Sequence, residues 1–214
     1  MSEKGSHSVW YLAVRGGTVL DVRARKNVSR AVDPIARVVA KVGLTPTMIT
    51  LGGAVISIAG AVLISMGYLA LGCGVMGFGA LLDVLDGVLA RLTCKETIRG
   101  ALLDSFTDRV GEIAVWSGLA YYLGTEGEAT LVMLTIVGIC GSLVIPYVRA
   151  KAEAFGVEGK GGWMGRAERL LVFAAGVGLS EFWPTLEVTL WALAVLIWLT
   201  VAQRFYITWK QLEA

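Results

Sequence analysis

Six apolar blocks of roughly 20 residues each divide this 214-residue chain, at about 48–67, 70–92, 100–123, 129–150, 168–183 and 186–208. A helix needs a run of that length to cross the hydrocarbon core of a bilayer. Apolar residues make up 56% of the chain and the mean hydropathy is +0.69, whereas a soluble domain holds about 45–50% apolar residues. Lipid offers the backbone no hydrogen-bond partners, so such blocks fold as helices that satisfy their own amides. The predicted fold class is therefore all-α, a polytopic membrane protein with six transmembrane helices. The fifth block is short, and Pro184 separates it from the sixth.

The placement of charge orients the bundle. Arg91, Lys95 and Arg99 fall between the second and third blocks. Arg149, Lys151, Lys160, Arg166 and Arg169 cluster around the junction of the fourth and fifth, and Arg204 and Lys210 lie at the end of the sixth and just beyond it. The opposite turns, near Gly67-Tyr68, Thr125–Ala129 and Ser180–Glu187, hold no Lys or Arg. Positive charge stays on the cytoplasmic side, so both termini are expected in the cytoplasm of a multi-pass protein of the cell membrane. Cys73, Cys94 and Cys140 show no CxxC spacing, which argues against a zinc site. Nothing in the chain points to nucleic acid.

Before the first block, Val28, Val32, Ile35, Val39 and Val42 recur at helical spacing, with Lys26, Arg30, Asp33, Arg37 and Lys41 on another face. That pattern predicts an N-terminal amphipathic helix lying among anionic headgroups. The expected organisation is a tail over 1–25, this juxtamembrane helix over 26–44, and a six-helix domain over 45–210. Gly43 is the expected helix cap and Pro46 the restart. The many glycines of the first two blocks, among them Gly52, Gly53, Gly60, Gly72, Gly74, Gly77 and Gly79, read as close helix packing.

Four aspartates interrupt the apolar run, in the order Asp83-x-x-Asp86-Gly87-x-x-Ala90-Arg91, then Gly100-x-x-x-Asp104-x-x-x-Asp108. Carboxylates inside a membrane helix are costly and mark function. At about 100° per residue, Asp83, Asp86, Gly87 and Ala90 share one face of the second helix. Gly100, Asp104 and Asp108 share one face of the third. Asp86 and Asp104 each stand five residues from the ends of the Arg91–Arg99 connection, about 7 Å deep at ~1.5 Å per residue. The carboxylates should therefore converge just inside the cytoplasmic face. Four such charges in a low-dielectric pocket require cations, and oxygen ligands alone favour Mg²⁺ or Mn²⁺. Two ions about 4 Å apart form a clamp suited to displacement at phosphorus. Gly87, Ala90 and Gly100 leave room for a ligand, and Arg91 reaches a phosphate at the rim.

This pattern resembles the signature of the CDP-alcohol phosphotransferases with no position missing. The resemblance covers roughly residues 28–210. It implies transfer of a phosphatidyl group from CDP-diacylglycerol, or an archaeal CDP-lipid, to an alcohol with release of CMP. By motif position, Asp83, Asp86 and Asp104 would hold one ion, and Asp83, Asp104 and Asp108 the other. Asp108 would also be the base that deprotonates the acceptor. Gly87, Arg91, Thr97 and the segment Thr47, Met48, Ile49, Thr50 would contact the CDP moiety. The family also implies a homodimer.

Within that family, the segments around Pro146–Glu153, Gly161–Leu170 and Gln203-Arg204 resemble members that use inositol 1-phosphate. The resemblance makes Arg149, Lys151, Arg169 and Arg204 an acceptor-phosphate pocket, although Arg149-Ala-Lys151 reverses the Lys-Ala-Arg order of those members. Glycerol 3-phosphate is the alternative acceptor. A cation or proton transporter and a structural membrane subunit are the readings from other classes. The transporter reading predicts broken helices and an internal repeat, and the sequence carries neither.

Overall fold

A computed structural model describes Val39 and residues 43–93, 97–159 and 161–213. The described residues form six α-helices and one 3₁₀ turn: α1 (Pro46–Ser65), α2 (Leu69–Leu92), α3 (Ile98–Thr125), α4 (Ala129–Ala154), α5 (Arg166–Gly178), the turn Leu179–Glu181, and α6 (Leu186–Leu212). They lie where the apolar blocks predicted helices, with ends shifted by a few residues. The predicted amphipathic helix lies outside the described residues, apart from Val39, Gly43 and Leu44.

Local chemistry sets the helix ends. The Thr45 side chain accepts a hydrogen bond from Met48 N, and Pro46 occupies the first turn of α1, where no amide donor is missed. The Thr97 side chain likewise accepts from Gly100 N at the start of α3. Gly67 and Gly127 adopt φ of +87° and +80° in the tight turns after α1 and α3, a region that favours glycine.

Four helices, α1, α2, α4 and α6, are long and apolar enough to cross a membrane. α3 has the length, at 28 residues, but carries the carboxylates and arginines of the site. α5 has only 13 residues, about 20 Å at 1.5 Å per residue.

Helix α1 packs on α2 and α3, α4 on α3 and α6, and α5 on α2 and α6. Two glycine pairs bring α1 and α2 together. A Cβ built on Gly60 would stand 2.8 Å from Gly72 O, and one built on Gly53 would stand 3.1 Å from Gly79 O. The packing reading holds for these glycines but not for Gly52, Gly74 and Gly77, where an added Cβ meets nothing within 4 Å. Gly72→Leu is therefore expected to lower the melting temperature by on the order of 5–10 °C, through an overpacking cost of about 1–3 kcal/mol. Gly74→Leu should leave it unchanged. Thermal melts of the two variants in detergent check the contrast, and equal melting points would refute the tight seam.

The core is built from Leu119, Leu123, Leu193 and Ile197, with Trp116 edge-on to Phe173 at 5.0 Å. The buried hydroxyls of Thr135 and Thr200 are satisfied within their own helices, donating to Leu131 O and Leu196 O, partners that lipid cannot supply.

Candidate active site

Side chains of Asp83, Asp104 and Asp108 come together from α2 and α3, each offering an oxygen within 4.8 Å of the others. The four-residue spacing on α3 and the antiparallel α2 deliver this convergence, as the sequence predicted. Asp86 stands beside the trio rather than inside it. It is buried and accepts a hydrogen bond from Thr50 Oγ1 on α1, yet lies near enough to interact with Asp83 and Asp104. The α1–α2 seam explains the departure, because it brings Thr50 within reach of the α2 face that bears Asp86.

Asp83 and Asp108 of the trio line a cleft between α1, α2, α3 and α5. Gly53 and Ser57 of α1, Gly79 of α2 and Gly111 of α3 line its walls, and Met76, Trp116 and Phe173 its apolar part. From α5 it receives Arg166 and Arg169.

Arg166, which the sequence reading counted only as a topological charge, bridges the carboxylates. Its Nη1 donates to Asp83 Oδ2 at 2.9 Å, and its Nη2 lies 2.6 Å from Asp108 Oδ1. Glu112 was also missed, although it continues the register Gly100, Asp104, Asp108 by four residues. Its carboxylate receives Arg109 Nη1 at 2.6 Å, Arg169 Nη2 at 3.2 Å and Ser142 Oγ at 2.7 Å. With Arg109 Nη2 3.8 Å from Asp108, opposite charges alternate from Asp83 through Arg166, Asp108, Arg109 and Glu112 to Arg169.

The four predicted acceptor cations are placed unequally. Arg169 is 4% exposed and lines the cleft, and its Nε is buried without a hydrogen-bond partner. Arg149 and Arg204 lie within electrostatic reach of one another, and Arg204 within reach of Arg169. Arg149 is exposed and pairs with Glu153 at 2.8 Å. Lys151 is exposed, its ammonium 5.9 Å from the Tyr147 ring centroid.

Arg204 is the most enclosed by backbone carbonyls of the four. It is buried, and its guanidinium donates to Gly161 O and Ile145 O. It acts as a strut for the segment leading into α5. Thr200 and Gln203 accept from Met164 N and Trp163 N, and Gln211 exchanges hydrogen bonds with Glu158. Gly162 is required there: its φ is +97°, and a Cβ would stand 2.8 Å from Thr200 Cγ2. This strapping to α6 fixes where Arg166 and Arg169 begin α5.

The predicted donor contacts divide in a similar way. Thr47, Met48 and Arg91 are exposed, and the Arg91 guanidinium lies back over Gly87. Ala90 is half-buried on the same helix. Ile49 instead packs against Leu85, Val88 and Leu89, Thr50 serves Asp86, and Thr97 is committed to Gly100 N as a cap.

The carboxylate trio fits a hard divalent cation. Its donors are all oxygen, and Asp108 Oδ1 is buried without a well-formed hydrogen bond despite the nearby guanidinium. Hard-cation ligands facing arginines, in a helical bundle apolar enough for lipid, are the arrangement of a membrane-embedded enzyme acting on phosphate esters. The CDP-alcohol phosphatidyltransferase family model matches residues 43–206, and the chain belongs to that family of enzymes. It is 40% identical over 193 residues to a phosphatidylinositol phosphate synthase of Mycobacterium marinum, spanning 87% of this chain and 82% of the relative. The crystal structure of the Mycobacterium tuberculosis phosphatidylinositol phosphate synthase with CDP-DAG bound is 41% identical, with a TM-score of 0.79 over 84% of this chain and 94% of that one. The same enzyme in complex with manganese and citrate is 40% identical, again with a TM-score of 0.79, over 83% and 88% of the two chains.

Proposed function

We propose that this enzyme transfers the phosphatidyl group of CDP-diacylglycerol to inositol 1-phosphate and releases CMP. The observation that carries the acceptor is Arg169, a buried cation that lines the cleft beside Asp83 and Asp108 and whose Nε has no hydrogen-bond partner. A phosphate monoester carries close to two negative charges at neutral pH, and a buried donor without a partner costs free energy until an anion meets it. The relatives' shared activity supports the same acceptor.

In this reading Asp83, Asp104 and Asp108 are the central metal ligands, with Asp86 a fourth donor oriented by Thr50. Two bound Mg²⁺ or Mn²⁺ ions would neutralise charge on the donor pyrophosphate and on departing CMP. Arg91, Gly87, Ala90, Gly100, Thr47 and Met48 hold the CDP half at the rim. Arg169 receives the acceptor phosphate, Arg149 and Lys151 add charge at the mouth, and Arg204 holds the segment that carries the pocket. Asp108 takes the proton of the acceptor hydroxyl. That oxygen attacks the phosphatidyl phosphorus, and the pyrophosphate P–O bond breaks toward CMP.

The fuller architecture belongs to this reading too. Six spans place both termini and the site at the cytoplasmic face of the cell membrane, with 45–210 as the catalytic domain, 26–44 as an interfacial helix and 1–25 as a tail. The protein acts as a homodimer.

CMP release, measured with CDP-diacylglycerol and a panel of alcohols, tests the assignment. Inositol 1-phosphate is expected to exceed glycerol 3-phosphate and free inositol by roughly 10-fold or more in kcat/KM, and excess EDTA should abolish turnover. Preference for glycerol 3-phosphate would reassign the acceptor. Full activity in metal-stripped enzyme would remove the two-ion scheme.

A further inference from the structure

Arg166 occupies the place where the metal site should be most anionic. Its guanidinium reaches Asp83 at 2.9 Å and Asp108 at 2.6 Å, and these are two of the three residues that could hold an ion. Among the described residues, no Lys or Arg forms an ion pair within 4 Å with the carboxylate of Asp104 or Asp86. The guanidinium is thus the cation most directly bound to the trio, and it comes from a different helix.

The fit is imperfect in an informative way. Asp108 Oδ1 has Nη2 at 2.6 Å but no hydrogen bond of acceptable geometry, and it is buried. A planar donor fork matches one carboxylate well. Here it is stretched across two carboxylates from different helices and satisfies only one of them. A spherical cation imposes no such plane. Arg166 sits in the first turn of α5 with its side chain 37% exposed, at the solvent edge of the trio.

We propose that Arg166 is an intramolecular counter-ion of Asp83 and Asp108 that competes with the divalent cation for their oxygens. The proposal rests on the metal site assigned above. Its consequence is that metal affinity reports a competition: each ion that enters must displace a charge-assisted contact. Asp83 and Asp108 are compensated before loading, which lowers the cost of holding carboxylates close together.

The test measures Mn²⁺ binding to detergent-solubilised enzyme by electron paramagnetic resonance, without substrates, in wild type, Arg166→Gln and Arg166→Lys. Loss of the competitor should tighten Mn²⁺ binding in Arg166→Gln by roughly 10-fold, the equivalent of one charge-assisted contact. Lys, a point charge without the fork, should give an intermediate value. Mn²⁺ should also raise the melting temperature more in Arg166→Gln than in wild type, because the variant starts with Asp83 uncompensated as well. A second measurement needs no variant. Phenylglyoxal labelling of Arg166 in the wild type, followed by peptide mass spectrometry, should rise several-fold when Mn²⁺ is added. Equal or weaker Mn²⁺ binding in Arg166→Gln, or labelling that is unchanged or suppressed by Mn²⁺, would overturn the competition while leaving the metal site standing. No Mn²⁺ binding by the wild type would remove the metal site and the competition together.

Discussion

Asp108→Asn is expected to leave transfer at least about 100-fold below wild type, the lower end of what a positioned base contributes. An amide cannot take the proton of the acceptor hydroxyl. Two features of the site make the loss specific. Asp108 is tied through Arg109 to Glu112 and so to Arg169. Asp83, Asp104 and Asp86 remain to bind at least one ion, so CDP-diacylglycerol should still bind. Single-turnover rates and equilibrium donor binding, measured on the same preparation, separate the two effects. Turnover near the wild-type rate would show that the proton leaves by another route.

Arg169→Ala should raise the KM for inositol 1-phosphate by roughly 10-fold to 100-fold, with little change in the KM for CDP-diacylglycerol. The range corresponds to one charge-assisted contact of about 1.5–3 kcal/mol. Glu112→Gln should move the same constant in the same direction, since Glu112 holds the Arg169 guanidinium at 3.2 Å. Arg204→Ala provides the contrast. It leaves Gly161 O and Ile145 O without their donor, so its main signature should be a lowered melting temperature. Titration of both substrates, beside thermal melts of the three variants, checks the division. An Arg169 variant with unaltered acceptor KM would show that this cation serves the fold and not the substrate.

Differences between the residues that were legible from sequence and those that were not have physical causes. Asp104 and Asp108 were readable because a helix repeats every 3.6 residues, and residues four apart share a face whatever packs against it. Glu112 obeys the same register, so its signal was present one turn further on. Asp86 also shares the α2 face, but its partner was not readable. Its pairing with Thr50 follows from how closely α1 approaches α2, which the Gly53–Gly79 and Gly60–Gly72 contacts determine.

The cations were legible as a group and not as individuals. Clustered Lys and Arg mark a membrane face through the rule that governs insertion, and that rule makes no distinction among Arg149, Lys151, Arg166, Arg169 and Arg204. Their separate fates depend on the segment before α5. Thr200, Gln203, Arg204 and Gln211 hold it against α6, far away in sequence. Through that strapping Arg166 meets Asp83, Arg169 faces the cleft and Arg204 becomes a strut.

Apolar run length, helical spacing and the aspartate pattern are local properties of the chain. They were enough to anticipate a helical membrane protein and the meeting of aspartates from two helices, though they grouped four where three come together; the reaction class came from the family resemblance that the aspartate pattern carries. Which arginine meets which carboxylate is a long-range property, decided only when four helices and one strapped segment close around a common cleft.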